Sequence, residues 1–152
     1  MYMESDAKYM DLALAEAAKA ASAGEVPVGS VIVLNGEVIG RGFNQPISSH
    51  DATAHAEIIA MREGGRTLGN YRLTGVTVYC TVEPCMMCAG AMIHARIQRL
   101  VFGTTDPKAG SAGSIYNVLT DPRLNHRVEV VTGVREDECA AMLRSFFALR
   151  RG

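Results

Sequence analysis

Segments of helical and of strand character alternate along this chain, and that alternation constrains its fold more than any other feature. A helix is expected over residues 6–23, with Ser5 or Asp6 as its N-cap, an alanine-rich body, and Gly24 placed to end it. Residues 28–34 and 38–43 flank Asn35-Gly36, a dipeptide whose tolerance of positive φ suits the type I′ turn of a hairpin. Thr53 is placed to cap a helix over 54–63, which Gly64-Gly65 would stop. Residues 76–82 form a β-branched run that reads as a strand, and Pro84 is expected in the first turn of a helix over 85–95. Two further strands, 97–102 and 128–131, bracket a loop region bearing Gly, Ser and Pro, and an amphipathic helix over 136–150 closes the chain. The order α-β-β-α-β-α-β-β-α predicts an α/β layered domain built on one sheet, without internal repeats.

At 152 residues, the chain has the length of one compact domain, 1–152, that buries roughly 70% of its unfolded surface. With 48% hydrophobic and 20% charged residues, it has the apolar surface to offset ordering entropy, which excludes a disordered or fibrous class. No apolar run approaches the ~20 residues of a membrane span, and residues 1–14 interleave acidic and apolar side chains instead of building a signal-peptide core. No membrane contact and a cytoplasmic location are therefore expected. The net charge of −1 excludes a generally basic nucleic-acid coat, but it hides an asymmetry. Residues 1–76 carry 6 Lys/Arg against 9 Asp/Glu, and residues 77–152 carry 9 against 7, so an anionic partner should meet the second half.

Two segments concentrate metal-binding side chains, each at an expected helix start: Thr53-Ala54-His55-Ala56-Glu57 and Glu83-Pro84-Cys85-Met86-Met87-Cys88. Cys85 and Cys88, at i and i+3, project to one side of a first helical turn, where a strand–helix unit can bring His55. Two thiolates and an imidazole select zinc, and three protein ligands leave the open fourth position of a catalytic site. Glu57 is badly spaced to be a second ligand beside His55, and a proton shuttle is the better assignment. The competing readings of Cys-x-x-Cys are a redox pair, or a closed structural site completed by Cys80 or Cys139. Both of those cysteines are expected instead to be small buried hydrophobes.

His55-x-Glu57 followed about thirty residues later by Pro84-Cys85-x-x-Cys88 resembles the signature of the zinc-dependent nucleoside deaminases. Glu25-Val26-Pro27-Val28-Gly29, Asn44, Asn70-Tyr71-Arg72-Leu73 and Asn125-His126-Arg127-Val128 extend the resemblance, over nearly the whole chain, to the bacterial tRNA adenosine deaminases. The resemblance implies a three-layer α/β/α cytidine deaminase-like fold with a mostly five-stranded mixed sheet, one zinc per subunit, and a homodimer. It implies hydrolysis of adenosine to inosine at the wobble position of a tRNA anticodon loop, in tRNA-Arg with anticodon ACG, by a zinc-activated water attacking C6. Glu57 would protonate N1 and help the amino group leave, with the N–H groups of Ala56 and of the Cys85–Cys88 turn as auxiliary donors. Asn44 would hydrogen-bond the base, Val28 and Val82 clamp its ring beside Pro84, and Asp106 accept a ribose 2′-OH that DNA cannot offer.

Some of these residues have plainer readings. Asn44 precedes Pro46, and Asp106 precedes Pro107, as turn-forming residues do. On the last helix, Cys139, Met142, Leu143 and Phe146 form a core stripe. Phe147, about 100° round from Phe146, is the candidate to stack on an anticodon-loop base, with Lys108, Arg150 and Arg151 reaching phosphates. Arginines at a helix end also suit its dipole, and Phe147 also suits a subunit contact. The competing functions are a free-base or nucleoside deaminase, such as a guanine or cytosine deaminase, and a zinc-stabilised RNA-binding module without catalysis. Glu57 argues against the module, because a structural site has no use for a proton shuttle.

Overall fold

A computed structural model describes residues 2–151, with the side chain of Arg151 outside the description. The elements follow the expected order: α1 (Ser5–Ser22), β1 (Gly29–Leu34), β2 (Glu37–Phe43), α2 (Ala56–Leu68), β3 (Thr77–Val82), α3 (Met86–Ala95), β4 (Arg99–Thr104), β5 (Glu129–Thr132) and α4 (Glu136–Arg151). The strands form one mixed sheet in the order β2-β1-β3-β4-β5. β1 runs antiparallel to β2 and β3, whereas β3, β4 and β5 are mutually parallel.

Both faces of the sheet are covered, which is why β1, β3 and β4 are buried almost continuously along their length instead of on alternate residues. Val31, Val33, Tyr79 and Val101 point to one side, against Tyr9, Met10 and Ala13 of α1 and Cys139 of α4. Ile32, Val78 and Leu100 point to the other, against Ala60 and Met61 of α2 and Ala89 and Met92 of α3. The result is the expected α/β/α sandwich, in which each fully buried Val, Leu or Ile contributes about 1.5–3 kcal/mol. Between β1 and β2, Asn35 (φ 51°) and Gly36 (φ 77°) both take the left-handed conformation of the expected turn.

Helix boundaries depart from the sequence expectation where tertiary contacts decide. α2 continues through Gly64-Gly65 to Leu68, because Gly64 packs on Ile32 and Ile39 of the sheet, and Gly69 (φ 67°) ends it. Thr53 is not its cap. His55 holds the N-cap position, and both the N–H and the hydroxyl of Thr53 donate to Asp51 instead. Pro84 lies before α3, whose N-cap position is Cys85.

Asp6 and Ser5 do not cap α1, whose N-cap position is Glu4. Asp6 is fully buried beneath the sheet, accepting from Arg99 Nη2 at 2.6 Å, Arg99 Nη1 at 2.8 Å and the Tyr79 hydroxyl at 2.7 Å. On the opposite face α2 sits very close to β2, since a Cβ on Gly40 or Gly42 would overlap the carbonyl oxygens of Ala60 and Ala56. That contact fixes the first turn of α2. Among the described residues, no helix is long and apolar enough to cross a membrane.

Candidate functional site

His55, Cys85 and Cys88 come together where the N-termini of α2 and α3 meet the end of β3. Two helix starts point their free N–H groups and positive dipole ends at this spot, favouring thiolate and other negative charge. His55 Nδ1 lies 3.6 Å from Cys85 Sγ and 3.6 Å from Cys88 Sγ. A tetrahedral zinc at ~2.3 Å from sulfur and ~2.0–2.1 Å from nitrogen requires a sulfur–nitrogen spacing of about 3.5 Å. The donor set and its spacing therefore fit zinc. Among the described residues this is the one metal-binding cluster, and neither Glu57, Cys80 nor Cys139 belongs to it. A closed four-ligand site finds no support in that grouping.

The thiols and imidazole are close enough to shift one another's proton affinity. Donation from Cys88, with help from His55, holds Cys85 down at about 3, while the same hydrogen bond and burial push Cys88 well up. His55 is raised by its hydrogen bond to Cys85, partly offset by burial. Cys80 and Cys139 are buried hydrophobes, as expected: burial raises the Cys80 thiol far up and that of Cys139 to about 12.

A cavity of about 200 Å³ opens on the cluster, lined by Val26, Val28, Asn44, Glu57, Val82, Glu83, Asp106 and Ala109 together with His55 and Cys85. Glu57, on the first turn of α2, is 3% exposed, and burial raises its carboxyl above the usual carboxylate range. Asn44 turns its Oδ1 toward α2 and accepts the N–H of Ala56 at 3.3 Å. The Ala56 N–H, expected as an auxiliary donor, is thus already occupied. Asp106 accepts the N–H groups of Lys108 (3.1 Å) and Ala109 (3.2 Å) through Oδ1, so it forms its turn and lines the cavity as well. Pro84 is buried behind the wall, where its carbonyl accepts the N–H of Ser111 at 2.9 Å.

The C-terminal residues divide. Phe147 is 41% exposed and meets Phe146 edge-on, with ring centroids 5.4 Å apart. Arg150, expected at phosphates, is exposed; it lies 4.3 Å over the Phe146 ring and donates through Nη2 to Gly24 O at 2.8 Å. The Arg151 side chain lies outside the described residues, and Lys108 is exposed. Three wall residues escaped the sequence reading. Glu83 stood in view beside Pro84-Cys85, but Val26 and Ala109 carry no chemical signal. A larger groove of about 680 Å³ between α2 and α3 is lined by Ile58, Met61, Leu73 and Tyr71. It holds none of the zinc-binding residues, so the chemistry belongs to the smaller cavity.

Residues 3–104 match the cytidine and deoxycytidylate deaminase zinc-binding region. A tRNA-specific adenosine deaminase of Bacillus subtilis is 48% identical over 145 residues, covering 95% of this chain and 90% of the relative. One of Haemophilus influenzae is 50% identical over 149 residues, covering 97% and 86%. A solved structure from work on A-to-I editing by tRNA:A34 deaminases at the wobble position of transfer RNA superposes with a TM-score of 0.86 at 44% identity. That alignment covers 90% of this chain and 99% of the other. A guanine deaminase from Nitrosomonas europaea shares the fold, with a TM-score of 0.83 at 21% identity over 97% of this chain and 87% of the other. With its zinc-ligand cluster and buried glutamate inside the matched region, the chain belongs to the cytidine and deoxycytidylate deaminase family.

Proposed function

We propose that this chain, as one catalytic domain, is a tRNA adenosine deaminase that converts adenosine to inosine at the wobble position of an anticodon loop, with tRNA-Arg(ACG) as its substrate. The observation that carries the reading is the meeting, in one cavity, of the zinc-ligand cluster and the buried carboxyl of Glu57. The named relatives at 48–50% identity support the substrate. The reaction replaces the C6 amino group with oxygen from water and releases ammonia.

Zinc, when held by His55, Cys85 and Cys88, supplies a water activated near neutral pH. The protein's own share is positioning and proton movement. Glu57, its proton affinity raised by burial, relays the two protons of the attacking water in turn: the first goes to N1 of the base, where the product keeps it, and the second to the leaving amine, which departs as ammonia. Asn44 commits its oxygen to Ala56, which leaves its Nδ2 to donate to the base. Val26, Val28 and Val82 give the ring apolar walls. The volume of about 200 Å³ suits one splayed base, with ribose and phosphates outside. Asp106 spends Oδ1 on its own turn and keeps Oδ2 for the ribose 2′-OH. Phe147 offers a face for stacking, and Lys108, Arg150 and Arg151 are the cations for phosphate.

The enzyme works as a homodimer in the cytoplasm. Exposed Tyr71 at the apolar α2–α3 groove, with Met86 and Met87 also exposed on α3, supports a second copy on that side, and four free cysteines suit a reducing compartment. Light scattering should report a dimer; an active monomer would refute that part. The activity is tested by parallel incubations with an ACG anticodon stem-loop, adenosine, cytidine and guanine. Inosine in the stem-loop alone is expected, and turnover only of a free base or nucleoside would overturn the assignment.

A further inference from the structure

Glu83 lines the cavity beside Cys85, yet the reaction above gives it no task. It is 4% exposed, and its partners all come from one segment of the chain that follows β4. Oε1 accepts the N–H of Asp106 at 3.0 Å and the hydroxyl of Ser114; Oε2 accepts the N–H groups of Ala112 and Ser114, each at 3.0 Å. A carboxylate has about four lone-pair sites, so these four donors fill it and leave none for a substrate or a travelling proton. The seam continues on either side, with the Glu83 N–H donating to Thr104 O at 2.9 Å and the Ser111 N–H to Pro84 O at 2.9 Å. At Gly110 the fit is so close that a Cβ would overlap the Glu83 carboxylate. The segment 106–114 has no helix or strand of its own to hold it, and it brings Asp106 and Ala109 to the cavity wall.

We propose that Glu83 is a positioning residue: its buried carboxylate holds segment 106–114 in place as the substrate-facing wall, setting affinity for the nucleic acid without joining the proton transfers. The proposal rests on the functional reading above for the substrate used to measure it.

Zinc-loaded wild type and Glu83→Gln are compared by amide hydrogen exchange and by steady-state kinetics on the ACG stem-loop. The carboxamide keeps the shape but turns an N–H₂ toward N–H donors. Exchange at Asp106, Ala112 and Ser114 is expected to quicken at least about tenfold, because an amide freed from its acceptor opens locally. With zinc content retained, KM is expected to rise about tenfold and kcat to stay within about threefold, the pattern of lost uniform binding. Gly110→Ala strains the same contact from the loop side and should reproduce both changes, which keeps the test open if the glutamine variant does not fold. Unchanged exchange at the three amides overturns the proposal, as does faster exchange with unchanged KM. A fall in kcat at constant KM would make Glu83 a participant in the chemistry and overturn it too. If wild type leaves the stem-loop unaltered, the functional reading fails, while the exchange data still decide whether Glu83 holds the segment.

Discussion

At the scale of single residues, the cavity contains three carboxylates with three different fates, and their surroundings set the difference. Glu57 has lost water and gained few donors, so its proton affinity rises. Glu83 is equally buried, but N–H and O–H donors surround it and bring it below the usual range against the cost of burial. Asp106 is half-exposed and half-committed to its own turn. Only the first is suited to hold and release a proton. Glu57→Gln is therefore expected to lower turnover by about 10²–10⁴-fold while zinc content and stem-loop binding persist. Metal analysis, a binding titration and an inosine assay on one preparation check this, and near-normal turnover would remove Glu57 from its role. At the same scale, Arg150 shows a contact that sequence does not announce: its exposed guanidinium lies over the Phe146 ring and donates to the carbonyl of Gly24, 126 residues away in sequence.

At the scale of elements, the site depends on how closely two helices approach the sheet. Gly40 and Gly42 let the α2 backbone rest on β2, and the first turn of α2 carries His55 and Glu57. Gly42→Ala is expected to destabilise by about 1–3 kcal/mol, the usual cost of overpacking, and to lower activity further by shifting that turn. Thermal unfolding and turnover on the folded fraction measure both, and an unchanged melting temperature would contradict the packing argument. The identities and order of the elements were legible because β-branched runs, Asn35-Gly36 and the terminal amphipathic helix each carry a local signal. Their ends were less so. A Gly-Gly pair that stops an isolated helix was overridden at Gly64 by contact with Ile32 and Ile39. The zinc ligands were legible from spacing, because chemistry fixes their types. The clamp at Glu83 was not, because three of its four donors are backbone N–H groups that carry no residue signature and the fourth is a lone serine hydroxyl.

At the scale of the whole molecule, the chain ties α1 to the sheet through Asp6 and Arg99, a buried pair that joins residues 93 positions apart and that no local pattern announces. Burial raises the Asp6 carboxyl, but Arg99, the Met3 N–H and the Tyr79 hydroxyl more than reverse it, so its folded value lies below the ordinary 3.8. A carboxyl lowered by folding stabilises the protein above its unfolded value and loses that contribution as pH falls through the folded one. Asp6→Asn is thus expected to cost about 3–5 kcal/mol near neutral pH, with the difference from wild type shrinking below about pH 3.8. Denaturant melts across pH measure it, and a pH-independent difference would contradict the ion pair.

The near-zero net charge also takes on meaning at this scale. A protein that meets one loop through a base-sized cavity, a ribose contact and a few cations needs no basic coat, and its affinity should depend only modestly on salt. The most direct test is to incubate full-length tRNA-Arg(ACG) with the zinc-loaded protein and read adenosine-to-inosine conversion at every position. Conversion confined to the wobble adenosine, and abolished by Glu57→Gln, is the predicted result; conversion elsewhere in the tRNA, or none, would contradict it.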